Sequence, residues 1–416
     1  MNHEALNNTL QAAPAGRDNR RARLAVSLLF LTNGALFANL LPRYPEIKDA
    51  LGLSNAAFGA AVAAFPLGAL IAGLASGMLI RRFRSSRVAV AGTILTGAGI
   101  LLAGLAPTWA LLTGALFLAG AMDAITDVAQ NSHGLRVQRL YGRSILNSFH
   151  AVWSIGAVLG GLMGAVAAGL DVPRGAHLAT SLILFSSAIL LFYRFLLPGP
   201  EPLEPVAAGA ADGGRGQAAA PPAARARIAR YALLAALVLI AASGALVEDA
   251  GSSWSAIYLD NVLGAAASVA ALGFVALTGA QFVGRLLGDR LVDRFGQRAV
   301  AQAGGAIVVV GMGAALLLPS VPGTIVGFGA AGLGVATLVP AAMHAADELP
   351  GLRPGTGLTI VSWLMRVGFL LSPPIVGAVA DATSLATGLL VVPLAGILVL
   401  AFSPVLAGRA ARQVRA

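Results

Sequence analysis

Twelve apolar stretches, each near the roughly 20 residues that a helix needs to cross a bilayer, run through this chain of 416 residues. They lie near 22–42, 55–80, 87–106, 109–135, 144–170 and 175–197, then near 229–256, 264–288, 299–318, 321–345, 354–381 and 385–407. With 57% hydrophobic and only 11% charged residues, the chain holds far more apolar surface than a soluble core needs. The expected fold class is an all-α membrane protein of twelve transmembrane helices. Its 51 glycines suit membrane helices that approach closely without a hydrophobic force between them. Cysteine is absent, which excludes disulfides and thiolate metal sites.

Charge sets the orientation. A net charge of +10 would suggest nucleic acid in a soluble protein, but all except five of the 28 Arg and Lys fall in segments on one side of such a bundle. On the other side stand only Arg43, Lys48 and Arg174, and Arg285 and Arg366 fall inside helices. Positive charge collects on the cytoplasmic side of membrane proteins. A multi-pass protein of the cytoplasmic membrane with both termini cytoplasmic is therefore expected, and no nucleic-acid partner. The first twenty residues, polar and Arg-containing, read as a tail and not as a cleaved signal.

The Pro-, Gly- and Ala-rich stretch between the sixth and seventh apolar segments has few large apolar residues and cannot bury a core. The expected organisation is an N-terminal tail (1–21), a six-helix bundle (22–197), a linker (198–228), a second six-helix bundle (229–407) and a C-terminal tail (408–416).

Polar residues at membrane depth carry the chemistry. A charge at the centre of a membrane helix costs about 2.5–3.5 kcal/mol on insertion scales, so such residues face a bundle interior or a watery path. Asp123 and Asp127, four residues apart, share one helix face, and Gln130 and Asn131 continue the stripe. Two such carboxyls can share or pass a proton. His150, with an ordinary pKa of about 6.5, and Trp153, one turn on, are candidates to line a cavity with Asn33 and Asn131. In the second half, Glu248 and Asp249 are further proton-coupling candidates, although about 100° apart on a helix, so one at most points squarely inward. Trp254, Gln281, Trp363 and Arg366 complete the expected substrate lining. Arg366 needs a carboxylate partner or an anionic ligand: a latch if Glu248 or Asp249 reaches it, an acidic substrate if neither does. Arg285 is expected to snorkel or to pair with Asp289. Gly244, Gly251, Ser252 and Ser253 would allow the seventh helix to break, and Pro373-Pro374 would kink the eleventh.

The segments SGMLIRRFRSSR (Ser76 to Arg87) and GDRLVDRFGQR (Gly288 to Arg298) align 212 residues apart, Arg81 on Asp293. The second resembles the DRxGRR loop signature of the major facilitator superfamily, which implies a conformational clamp built from Arg285, Asp289, Asp293, Arg294 and Arg298. The first departs from it, with Arg81 in the acidic place and Arg84 where glycine is usual. Arg43 to Leu70, Gly142 to Gly161, Ala331 to Gly357 and Gly368 to Asp381 resemble a bacterial branch of that superfamily related to fucose-permease-type sugar:proton symporters. The resemblance implies two pseudo-symmetric six-helix bundles and alternating access; the expected partners are protons, the lipid bilayer and a small-molecule substrate, and a monomer is expected.

The expected function is proton-coupled secondary transport of a small polar, sugar-like solute. The alternative is proton-coupled efflux of a metabolite or drug, against which stands the run GAVLGGLMG (Gly156 to Gly164), which has exporter-like glycine spacing without the proline. A sensor with a transporter fold would leave the intramembrane carboxylates without energetic reason. No catalytic residues, metal site or cofactor are expected: GGLMGAV and GFGAAGLG lack the lysine of a phosphate loop and follow no strand.

Overall fold

In a computed structural model, the described residues are 17–142, 145–199, 224–349, 352 and 355–406. The core of the proposed linker, both extreme tails, Arg143 and Arg353 lie outside them. Among the described residues, twelve helices are long and apolar enough to span a membrane: α1 (Asn19–Ala50), α2 (Asn55–Gly73), α3 (Ser85–Gly104), α4 (Trp109–Tyr141), α5 (Leu146–Gly169), α6 (Arg174–Phe195), α7 (Ile228–Val262), α8 (Ala267–Phe295), α9 (Gln297–Leu317), α10 (Val321–Asp347), α11 (Thr356–Ala382) and α12 (Leu385–Leu406). An even number of crossings puts the start of α1 and the end of α12 on one face, here the termini face.

Local sequence sets the ends. On the opposite face, α2, α4, α10 and α12 start at Ser54, Thr108, Ser320 and Ser384, whose hydroxyls accept backbone N–H groups of the first turn. Helix α4 ends at Gly142 in the left-handed conformation. Its 33 residues amount to about 50 Å against a hydrocarbon core of about 30 Å, so its last, Arg-rich turns leave the membrane. There His133 accepts the Leu197 N–H at Nε2 (3.0 Å), which leaves its Nδ1–H to donate to Ser85 Oγ (2.8 Å). That histidine ties α4 to α3 and to the end of α6.

One expectation about a helix break comes out differently. Gly251, Ser252 and Ser253 do not interrupt the seventh helix, which stays α-helical to Ile257 and loosens into a π turn only at Tyr258–Val262. Each of those residues packs inside an unbroken ladder, Gly251 against Leu277 of α8 and Ser252 bonded back to the Glu248 carbonyl. Helix α11 runs through Pro373 and Pro374.

The two six-helix halves meet at the opposite face. Phe58 of α2 stands edge-on between Tyr44 of α1 (5.2 Å between ring centroids) and Trp254 of α7 (5.7 Å). Asn261 donates to Asp49 across the halves (3.1 Å), and α5 meets α8 where Gly161 touches Phe274. Nearby, Arg43 is buried and donates to His177 Nδ1, to the Val172 carbonyl and to Glu46, while His177 Nε2 donates to Asn39. With the joining contacts gathered at one face, the halves splay toward the other.

Candidate functional site

Between the splayed halves lies a cleft, and the polar residues at membrane depth face it. On the first half, α1 and α5 touch backbone to backbone: a Cβ on Gly34 would run into the Trp153 carbonyl, and one on Gly156 into that of Leu31. This approach lets Trp153 Nε1 donate to Asn33 Oδ1 (2.8 Å), which fixes the amide so that its Nδ2 donates to Asp123 Oδ1 (2.7 Å). Three helices, α1, α4 and α5, thus converge on one carboxyl. A turn further along α4, Asp127 Oδ1 accepts from Asn131 Nδ2 (2.9 Å) and from Gln130 Nε2 (3.4 Å). Asn131 Oδ1 in turn meets His150 Nε2 at 3.2 Å. His150 stands edge-on to Phe30, 5.2 Å between ring centroids.

On the second half, Glu248 Oε2 accepts from Gln281 Nε2 (2.7 Å) and pairs with the Arg285 guanidinium at 3.6 Å. Arg285 lies close enough to His150, and Arg366 to Asp127, for electrostatic interaction across the cleft. Asp127, Arg285 and Arg366 are all exposed although each lies well inside its span, and His150, a turn into α5, is exposed with them. An open cleft is what gives a membrane helix such residues.

Several expectations need correction. Trp254 lines no cleft: it is fully buried in the contact between the halves, its ring on Phe58 and its Nε1 without a partner among the described residues. Glu248 and Asp249 diverge, as their spacing requires; Glu248 faces the cleft, whereas Asp249 keeps one buried, unpartnered carboxyl oxygen. Arg285 neither snorkels nor pairs with Asp289 but turns inward to Glu248, because a half-buried carboxylate is screened less than a solvated one. No Glu248–Arg366 latch forms, since Arg285 and Gln281 already hold that carboxylate. The clamp is also unformed: Asp289, Asp293 and Arg298 make no ion pair among the described residues, and Arg294 lies over the Phe295 ring, 5.3 Å from its centroid. Splayed helix ends at the termini face leave these residues nothing to clamp.

One element escaped the sequence reading. Asp381, at the end of α11, accepts the backbone N–H groups of Asn55 and Ala56 at the start of α2. A carboxylate at the negative end of its own helix dipole is misplaced unless it serves another helix's positive end, and that was the available signal.

Two pseudo-symmetric helical bundles around a polar, membrane-deep cleft that opens to one face define a secondary transporter, not an enzyme. The sequence model of the Major Facilitator Superfamily matches residues 26–290, and an uncharacterised transporter of Sinorhizobium fredii, y4wD, is 31% identical over 91% of this chain and 96% of the relative. The chain belongs to the Major Facilitator Superfamily. Its fold is shared by a bacterial homologue of the human lysosomal transporter Spinster in an inward-facing, unoccupied conformation (TM-score 0.72, 15% identity, 94% of this chain and 98% of that one). It is shared too by the superfamily transporter FucP in an outward conformation (TM-score 0.57, 19% identity, 93% and 98%).

Proposed function

We propose that this protein moves a small polar, sugar-like solute by alternating access, coupled to protons that load Asp123 and Asp127. The observation that carries the reading is how these two carboxyls are held. Each accepts hydrogen bonds from neutral amides, Asn33 on one and Asn131 with Gln130 on the other, and neither has an ion-pair partner within 4 Å among the described residues. A carboxyl held in this way takes up a proton without breaking a salt bridge. Glu248, engaged with Arg285, has no such freedom, and its role is to fix the arginine.

Around the carboxyls, Asn131, His150, Gln281 and Trp363 offer donors, acceptors and an aromatic face to a hydroxyl-rich ligand. The arginine-rich loops of the termini face support a cytoplasmic-membrane protein with both termini inside. The test is purified protein in liposomes loaded with a pH-sensitive dye, challenged with a panel of sugars and sugar acids. Solute-evoked acidification of the lumen, lost in Asp123→Asn and Asp127→Asn, is the expected result. Full pH-driven transport in both variants would remove the coupling assignment.

A further inference from the structure

Arg366 is the charge that the cleft leaves unanswered. It sits ten residues into α11, exposed to the cleft, and makes no hydrogen bond or ion pair to any described residue. Every other charged group there has a held partner: Glu248 has Arg285 and Gln281, Asp123 has Asn33, and Asp127 has Asn131 and Gln130. Asp127 faces Arg366 across the gap without touching it.

Alternating access must close this cleft at some step, and closure takes the guanidinium out of water. A buried arginine then needs an anion in contact. Asp127, the carboxyl that faces Arg366, could supply it only while ionised, and a carrier whose one proton sits on Asp127 leaves the guanidinium without that anion. The remaining source is the cargo.

We propose that the transported solute carries a carboxylate, which Arg366 receives while the proton rides on Asp127. The guanidinium fork matches a carboxylate bidentately, a geometry that lysine cannot reproduce. Trp363, one turn before Arg366 on the same face and 54% exposed, flanks that position and can cover the apolar face of a sugar ring. The cargo class is thus a polyhydroxylated monocarboxylate, taken together with one proton. The inference rests on the proton-coupled reading above, but it makes a separate electrical prediction. One monoanion with one proton carries no net charge, whereas a neutral sugar with one proton carries a single charge.

The experiment measures lumenal pH and membrane current in parallel on the reconstituted wild type. Matched pairs are used: glucose with glucuronate and gluconate, galactose with galacturonate, xylose with xylonate. The expected result is acidification by an acid member without current and no response to its neutral twin. In Arg366→Gln the KM for that acid rises on the order of 10- to 100-fold, the weight of a hydrogen-bonded charge, and Arg366→Lys recovers only part of it. Acidification with current from a neutral sugar, unchanged in Arg366→Gln, overturns the inference and leaves the proton-coupled reading standing. Equal loss of neutral and acidic solutes in Arg366→Gln also overturns it, and makes Arg366 a contact between halves. Silence from every pair defeats the proton-coupled polar-solute reading itself, and this inference with it.

Discussion

Asp381 caps a helix that belongs to the other half of the molecule. Its Oδ1 accepts the backbone N–H and the side-chain Nδ2 of Asn55, both at 2.9 Å, and its Oδ2 accepts the Ala56 N–H at 2.8 Å. Three donors on one carboxylate, at the positive end of α2, make a charge-assisted joint between the halves. Small residues bring it within reach, for the Cβ that Gly377 lacks would collide with the Asn55 carbonyl. The joint holds the opposite face shut while the termini face is open.

Asp381→Ala should therefore shift the carrier toward the state open on the opposite face. Hydrogen bonds to a charged group contribute about 1.5–3 kcal/mol net, and partial replacement by water in this exposed place argues for the lower end. The chain has no cysteine, so single cysteines at positions 52 and 384 can carry spin labels without background. The variant should show a larger long-distance population than the wild type. An unchanged distance distribution would mean that ring packing of Phe58 and Trp254 closes this face without the carboxylate.

Asn33 is the hinge of the first-half cluster, because one amide serves Trp153 and Asp123 together. Asn33→Leu keeps the volume, strands the indole N–H and leaves Asp123 without its donor. A buried polar group left unpaired costs about 1–3 kcal/mol. Transport should fall at least tenfold while the protein still purifies as a monodisperse species, and the Trp153 emission should shift. Asn33→Asp should be worse, since a second acid would face Asp123.

Removing Arg285 should do more harm than removing its partner. Arg285→Met leaves Glu248 in the cleft with only Gln281, an ion stripped of its counter-ion, whereas Glu248→Gln leaves an arginine at the more exposed end of the pair. Breaking one side of a buried pair costs about 3–5 kcal/mol, reduced here because the arginine is 42% exposed. In thermal melts of detergent-solubilised protein, Arg285→Met should be the lower of the two, and the double variant should recover part of the loss.

Helix count and the polar stripe of α4 were legible because both are local: a 20-residue apolar run needs no partner to be read, and a spacing of four fixes one face. The divergence of Glu248 and Asp249 followed from the same arithmetic. What stayed hidden depended on how two distant helices meet. Arg285 reaches Glu248 and not Asp289 because α8 lies beside α7 at that depth. Trp254 is sealed because Phe58, almost two hundred residues earlier, covers it. Long side chains at the ends of different helices choose partners only after packing, and sequence spacing holds no record of that choice.

Arg84 offers a test in which sequence and structure point the same way. The alignment of the two halves puts it where Gly296 stands in the second copy, and the backbone agrees: φ 75 and ψ 144 at Arg84, φ 81 and ψ 154 at Gly296. Both residues end one helix and start the next. That region is essentially reserved for glycine, and a side chain there costs on the order of 1–3 kcal/mol. Against this, glycine loses more backbone freedom on folding, about 0.5–1 kcal/mol, and the exposed Arg84 side chain makes no ion pair among the described residues. The balance favours Arg84→Gly by about 1 kcal/mol, which should raise the melting temperature of the purified protein by a few degrees, whereas Gly296→Arg should lower it. A lower melting temperature for Arg84→Gly would show that the arginine's charge at the termini face contributes more than its strained backbone costs.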